Sequence, residues 1–216
     1  GNASWTFSFA RRMANNGLVA MAIDYRLSDN PGITPVEAME DGRKAIVWTK
    51  KQSKILGVDP EKVVAYGYSA GAHIAASTAV FSGSSEFFGY NSTPSALVLV
   101  SPALSVADDG WFRKLLGPNK RAVDYSPADH LYAGMPPSII LIGEDDTVTP
   151  LARNIVFHER MQSLGNHSVI KVYPDVGHLF TPSTESDKGQ PNPDKEVQEQ
   201  ANKAIEQFLK ELGYIN

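Results

Sequence analysis

A chain of 216 residues with a formal net charge of −4 and no cysteine has room for one sizeable core. The missing cysteines exclude disulfides, thiolate metal sites and cysteine nucleophiles together. The acidic balance, without any Lys/Arg cluster, argues against nucleic acid as a partner, and no apolar run reaches the roughly 18 residues of a membrane span.

In chain order, the opening stretch GNASWTFSFARRMANNG lacks the basic-then-apolar layout of a secretory leader. It predicts a helix beginning near Ser4 and closed by Gly17. Residues 18–25 (LVAMAIDY) predict a buried strand. Thr34, Pro35 and Glu37 form an N-cap, a first-turn proline and a capping box, so a helix is expected over about 34–56, stopped by Gly57. A strand over 63–68 leads into a small-residue helix from Ala70. Residues 96–100 and 138–142 are continuous apolar runs, hence strands, and 150–164 and 169–173 predict a helix and a strand. The last helix places Val197, Ala201, Ile205, Phe208 and Leu212 on one face. Strand–helix alternation with wholly apolar strands predicts an α/β fold: a mostly parallel sheet with helices on both faces, in a single domain over 1–216. Two long connections stand out, 101–137 as a cap-like candidate and the polar loop 181–193.

Residues 67–71 read GYSAG and fall between a strand and a helix. A serine on so tight a turn needs small neighbours, which Gly67 and Gly71 supply, and its hydroxyl is left exposed above the sheet. The Ala70 N–H, first in the following helix, points where negative charge would develop during acyl transfer. The motif alone is loose; its position gives it weight. A serine hydroxyl needs a base, and in this architecture an acid and then a histidine follow at later strand ends. Glu144, Asp145 and Asp146 follow one strand, and His178 follows the next. Two of the three acids must be solvated turn residues. His73 is expected to pack beneath the serine turn, His130 to cap a turn, and His158 and His167 to lie at the surface. No paired metal-ligand spacing occurs, so neither metal nor other cofactor is expected. The sequons at Asn2, Asn91 and Asn166 are what chance gives.

DYRL at 24–27, LGVDPEKV at 56–63, GYSAGAHIAA at 67–76, GEDDTVTP at 143–150 and VGHLF at 176–180 together resemble the α/β-hydrolases. The resemblance is strongest to carboxylesterases related to hormone-sensitive lipase and to the feruloyl/acetyl-xylan esterase-like group. It implies Ser69 as nucleophile, Asp146 as acid and His178 as base, acting on a small-molecule ester with a short acyl group of the acetyl type, on plant polysaccharide among other carriers. That family also carries a His-Gly-Gly run in an oxyanion loop, which does not occur in these residues. The expectation is a fold incomplete at its N-terminus, beginning inside that loop, with Gly1 and Asn2 as substitute donors beside Ala70. Trp111, Phe112 and Leu179, with Phe180, are candidates to line the pocket. Two alternatives stay open: an amide or formamide hydrolase, since SAGAH at 69–73 also resembles kynurenine formamidases, and a non-catalytic binding protein that keeps the fold.

Overall fold

The apolar runs become the sheet. In the computed structural model, which describes residues 2–82 and 91–216, strands β1 (Val64–Tyr68), β2 (Ala96–Val100), β3 (Ser138–Gly143) and β4 (Ser168–Tyr173) lie side by side in chain order, every pair parallel. Helices α1 (Phe7–Asn15), α2 (Pro35–Lys51) and the short α3 (Ser53–Leu56) precede β1. Helices α4 (Ala70–Val80), α5 (Gly110–Leu116), α6 (Leu151–Ser163) and α7 (Lys195–Glu211) follow β1, β2, β3 and β4 in turn.

Every residue of β2 and β3 is buried, as parallel strands covered on both faces require. Alternation sorts their side chains into two layers. Leu97, Leu99, Ile140 and Ile142 pack with Ile46 of α2, Ala72 and Ala76 of α4, and Phe157 and Met161 of α6. Val98, Val100, Ile139 and Leu141 pack with Met13 of α1 and with Ala201, Ile205 and Phe208 of α7. Burying each large aliphatic chain stabilises the fold by about 1.5–3 kcal/mol, so two full layers anchor the strand ends that carry the site.

The predicted capping box is present: the Thr34 side chain accepts from the Val36 N–H, and the Thr34 N–H donates to Glu37. The single helix expected over 34–56 is split at Gln52, whose N–H donates to the carbonyls of both Trp48 and Lys50. Gly57 then closes α3 in the left-handed region at φ 68°. On the other face Phe9 of α1 stacks on Tyr66 of β1 with ring centroids 4.0 Å apart. The Arg12 guanidinium bridges Glu199 and Glu206 of α7, each at 2.6 Å, and holds both carboxyls below the usual carboxylate range through these hydrogen bonds.

Residues 18–25 depart from expectation. They form no strand, and Val19, Met21 and Ile23 are 55%, 40% and 40% exposed. Among the described residues no backbone hydrogen bond joins 19–25 to any neighbour. A strand exists only where a ladder satisfies its backbone, and apolar composition cannot supply the partner. The segment is tied at its ends instead: the Leu18 N–H donates to the Met13 carbonyl, the Ala3 N–H donates to Asp24 at 2.7 Å, and Arg26 pairs with Asp41 and Glu40. Between it and β1 opens a cavity of about 610 Å³ that extends to the end of β1. No helix among the described residues is long and apolar enough to cross a membrane.

Candidate active site

Where β1 meets α4 the chain reverses sharply, and Ser69 sits there at φ 52° and ψ −123°. The local chemistry explains the glycine before it. A Cβ on Gly67 would lie 2.2 Å from the Gly71 carbonyl oxygen and 2.6 Å from the Ala72 nitrogen, both backbone atoms that cannot yield. Gly71 is different from expectation: a Cβ there meets nothing within 4 Å, because that side opens on the cavity. Only the first glycine is demanded by the turn. Ser69 donates its N–H to the Val100 carbonyl at 2.9 Å, which ties the turn to β2. The Ala70 N–H, at the start of α4, has no acceptor among the described residues, and Ala70 is exposed to the cavity.

Ser69 Oγ lies 2.9 Å from His178 Nε2, and His178 Nδ1 lies 2.9 Å from Asp146 Oδ2 and 3.2 Å from Oδ1. Both Asp146 and His178 are buried. A carboxylate accepts, so the Nδ1 atom carries the proton and Nε2 is free to accept from the serine hydroxyl. Of the three neighbouring acids, Glu144 and Asp145 point to solvent, and Asp145 is engaged by the Ser183 hydroxyl. Asp146 alone turns inward, where Oδ1 accepts from the Val148 and Thr149 N–H groups at 3.0 and 2.7 Å.

Two further residues at this site carry no recognisable sequence signal. The Thr149 hydroxyl lies 2.9 Å from Asp146 Oδ2, 3.0 Å from the Ser101 carbonyl and 3.3 Å from His178 Nδ1. The Ser101 hydroxyl accepts from the Leu179 N–H at 3.1 Å. Among the described residues the non-glycine positions with positive φ are Ser69, Ser101, Asp175, Leu179 and Phe180. All follow the C-terminal ends of β1, β2 and β4. Such backbone costs about 1–3 kcal/mol per residue and persists only where surrounding contacts over-determine it.

The structure does not bring all the predicted residues together. Trp111 is 66% exposed on α5, with Lys114 Nζ 5.5 Å from its ring centroid. Phe112 is buried in a small cluster with Val106, Leu116 and Ala122. Neither borders the cavity beside Ser69. Phe180 is buried too, edge-on to Tyr173, whereas Leu179 does line the cavity. Asn2 also lines it, with its side-chain oxygen accepting from the Ser4 N–H at 3.0 Å; Gly1 lies outside the described residues. His73 packs beneath the turn: Nδ1 faces the Ala103 carbonyl at 2.8 Å, its ring tilts against Phe112, and burial lowers its pKa to about 4 against the opposing pull of that hydrogen bond. His130 faces the Val123 carbonyl at a turn, His167 is exposed, and His158 is half-buried against Ser168.

A serine–histidine–aspartate chain beyond the C-terminal ends of parallel strands, here β1, β3 and β4, is one geometry found on several folds, so relatives are needed to say which fold this is. A family model described as the alpha/beta hydrolase fold matches residues 1–114, more than half of the chain. The chain belongs to the α/β-hydrolase fold family. A second model, the dienelactone hydrolase family, matches residues 122–213. Among curated relatives, Esterase LipQ of Mycobacterium tuberculosis is 26% identical over 199 residues, which cover 83% of this chain and 47% of that protein. An acetylxylan esterase of Xylanibacter ruminicola is 25% identical over 176 residues, 76% of this chain and 35% of that protein. The chain thus spans half or less of the length of these curated relatives. Among solved structures, the apo form of Thermogutta terrifontis esterase 2 superposes with a TM-score of 0.87 at 29% identity, covering 100% of this α/β-hydrolase chain and 80% of that one.

Proposed function

We propose that this chain is a serine hydrolase of carboxylic esters with short acyl groups, working through an acyl-enzyme. The observation that carries the reading is the unbroken contact from Asp146 through His178 to Ser69 Oγ, with 2.9 Å at each link, beside an open cavity. His178 Nε2 takes the serine proton as Oγ attacks the ester carbonyl, and Asp146 stabilises the imidazolium that forms. The carbonyl oxygen gains negative charge near the free Ala70 N–H at the positive end of α4. Collapse of the tetrahedral intermediate breaks the bond to the alkoxy oxygen, which leaves with the proton from His178. Water then attacks the acyl group by the same relay and regenerates Ser69.

The relatives' names support an ester as substrate, one of them an acetylxylan esterase. Forms of the Thermogutta terrifontis esterase with propionate and with butyrate bound support a short acyl chain. The test is hydrolysis of p-nitrophenyl acetate, p-nitrophenyl decanoate and an acetanilide by the wild type and by Ser69→Ala. Acetate is expected to be the fastest, and Ser69→Ala to lower kcat by at least about 10³-fold, since the covalent route needs that oxygen. Faster anilide than ester cleavage would make the chain an amidase, and activity retained in Ser69→Ala would end the serine-hydrolase reading.

A further inference from the structure

We propose that Asp187, in the polar loop 181–193, is a positioning residue that locks the loop bearing Asp146 to the loop bearing His178. The inference rests on the functional reading above. Asp187 Oδ2 accepts from the Thr147 N–H at 2.8 Å and from the His178 N–H at 3.3 Å, while Oδ1 accepts from the Thr147 hydroxyl at 2.8 Å. One carboxylate therefore holds the residue directly after the acid and the backbone of the base itself, although the two loops leave different strands.

The seat for this carboxylate is built by the chain. A Cβ on Gly177 would fall 2.9 Å from Asp187 Oδ2 and 3.1 Å from its Cβ, so the residue before the base must be bare for Asp187 to reach both amides. The strand-proximal halves of the loops are already joined by backbone, Glu144 N–H to the Tyr173 carbonyl and Asp145 N–H to the Val176 carbonyl. Beyond that point the ladder stops, and the His178 N–H has no other acceptor among the described residues. Asp187 continues the seam where the reacting groups sit. It has no ion-pair partner among the described residues, so its hydrogen bonds all go to these two loops. Partial burial works against the charged form, but the hydrogen bonds from Thr147 and then His178 outweigh it and hold the carboxyl below its ordinary range. The brace is therefore an ionised acceptor at neutral pH. Charge-assisted bonds of this kind are about twice as strong as neutral ones.

A misplacement of about 1 Å in a catalytic group can cost roughly 10²-fold in rate, so the expected effect is on kcat. Asp187→Ala should lower kcat on p-nitrophenyl acetate by about 10- to 100-fold and move KM by less than about 3-fold. Asp187→Asn, which keeps one acceptor oxygen, should recover part of that loss. Ser183→Ala removes the same loop's bond to Asp145 and leaves the Asp187 contacts alone. It should change kcat by less than about 2-fold, which separates the brace from general loop order. Amide hydrogen exchange supplies a readout independent of activity: in Asp187→Ala the Thr147 and His178 amides should exchange faster while those of β3 and β4 do not change. Inactive wild type with this exchange pattern would refute the esterase and keep the brace. Unchanged exchange at both amides, or a kcat loss equalled by Ser183→Ala, would overturn the brace while the esterase stands.

Discussion

On one side of Ser69 the loops after β2, β3 and β4 are tied to one another by side chains; on the other, residues 18–25 stand off β1 with no backbone bond across the gap. The two sides share Ser69 and differ in what fixes them. Ser101, Thr149, Asp146 and His178 interlock at short range, so the relay proposed for proton transfer rests on over-determined geometry. The opposite wall is a cavity lined by apolar chains and by the free Ala70 N–H. On the proposed function, activation of the serine and the space for the substrate therefore come from one region that is closely tied and one that is not. Damage to each should show in a different kinetic constant.

The largest expected effect breaks the interlocked side at its buried end. Asp146→Asn keeps the shape but presents an amide to His178 Nδ1, which disfavours the tautomer that accepts from Ser69. A loss of about 10⁴-fold in kcat is expected by analogy with triads in which the acid has been so changed. Asp145→Asn, one residue earlier and exposed, should stay within about 3-fold. Similar losses in both variants would show that charge in the loop, rather than the inward carboxylate, supports the base.

A smaller but structural effect separates the two glycines of the serine turn. Gly67→Ala drives a methyl group into the Gly71 carbonyl, and overpacking against backbone should cost about 3 kcal/mol in urea unfolding. Gly71→Ala adds a methyl group in open space on a helix, where alanine is favoured over glycine by about 1 kcal/mol, so stability should hold or rise. Its methyl group enters the cavity beside Ser69, and KM should respond more than kcat.

These pairs also show what the sequence could tell. The serine turn is legible because its constraint is local: a strand, a hydroxyl and a helix start within a few residues force glycine at 67. Asp146 and His178 are legible as strand-end residues, because topology carries every such loop to one rim of the sheet. Ser101, Thr149 and Asp187 are not, since their roles are contacts across loops far apart in sequence. Residues 18–25 mislead because an apolar run signals burial but cannot name its ladder partner. Trp111 and Phe112 mislead for a geometric reason: neighbours on a helix point about 100° apart, so one packs inward and the other faces solvent.

The smallest expected effect on folding lies on the open side. Val19, Met21 and Ile23 recur with period two and are all exposed, while the outer edge of β1 has no partner among the described residues. An exposed apolar segment beside an unpaired strand edge is a template for association between copies, which charged side chains suppress. The double variant Met21→Lys, Ile23→Lys should therefore shift sedimentation toward the monomer at high protein concentration. Because both side chains are 40% exposed, stability should change by no more than about 0.5 kcal/mol per site. The relay on the far side of Ser69 touches neither residue, so the rate of Ser69 acylation should hold while any change appears in KM. Association that persists undiminished would place the sticky surface elsewhere. A fall in acylation rate would show that the open wall helps set the serine, and that the two sides are coupled after all.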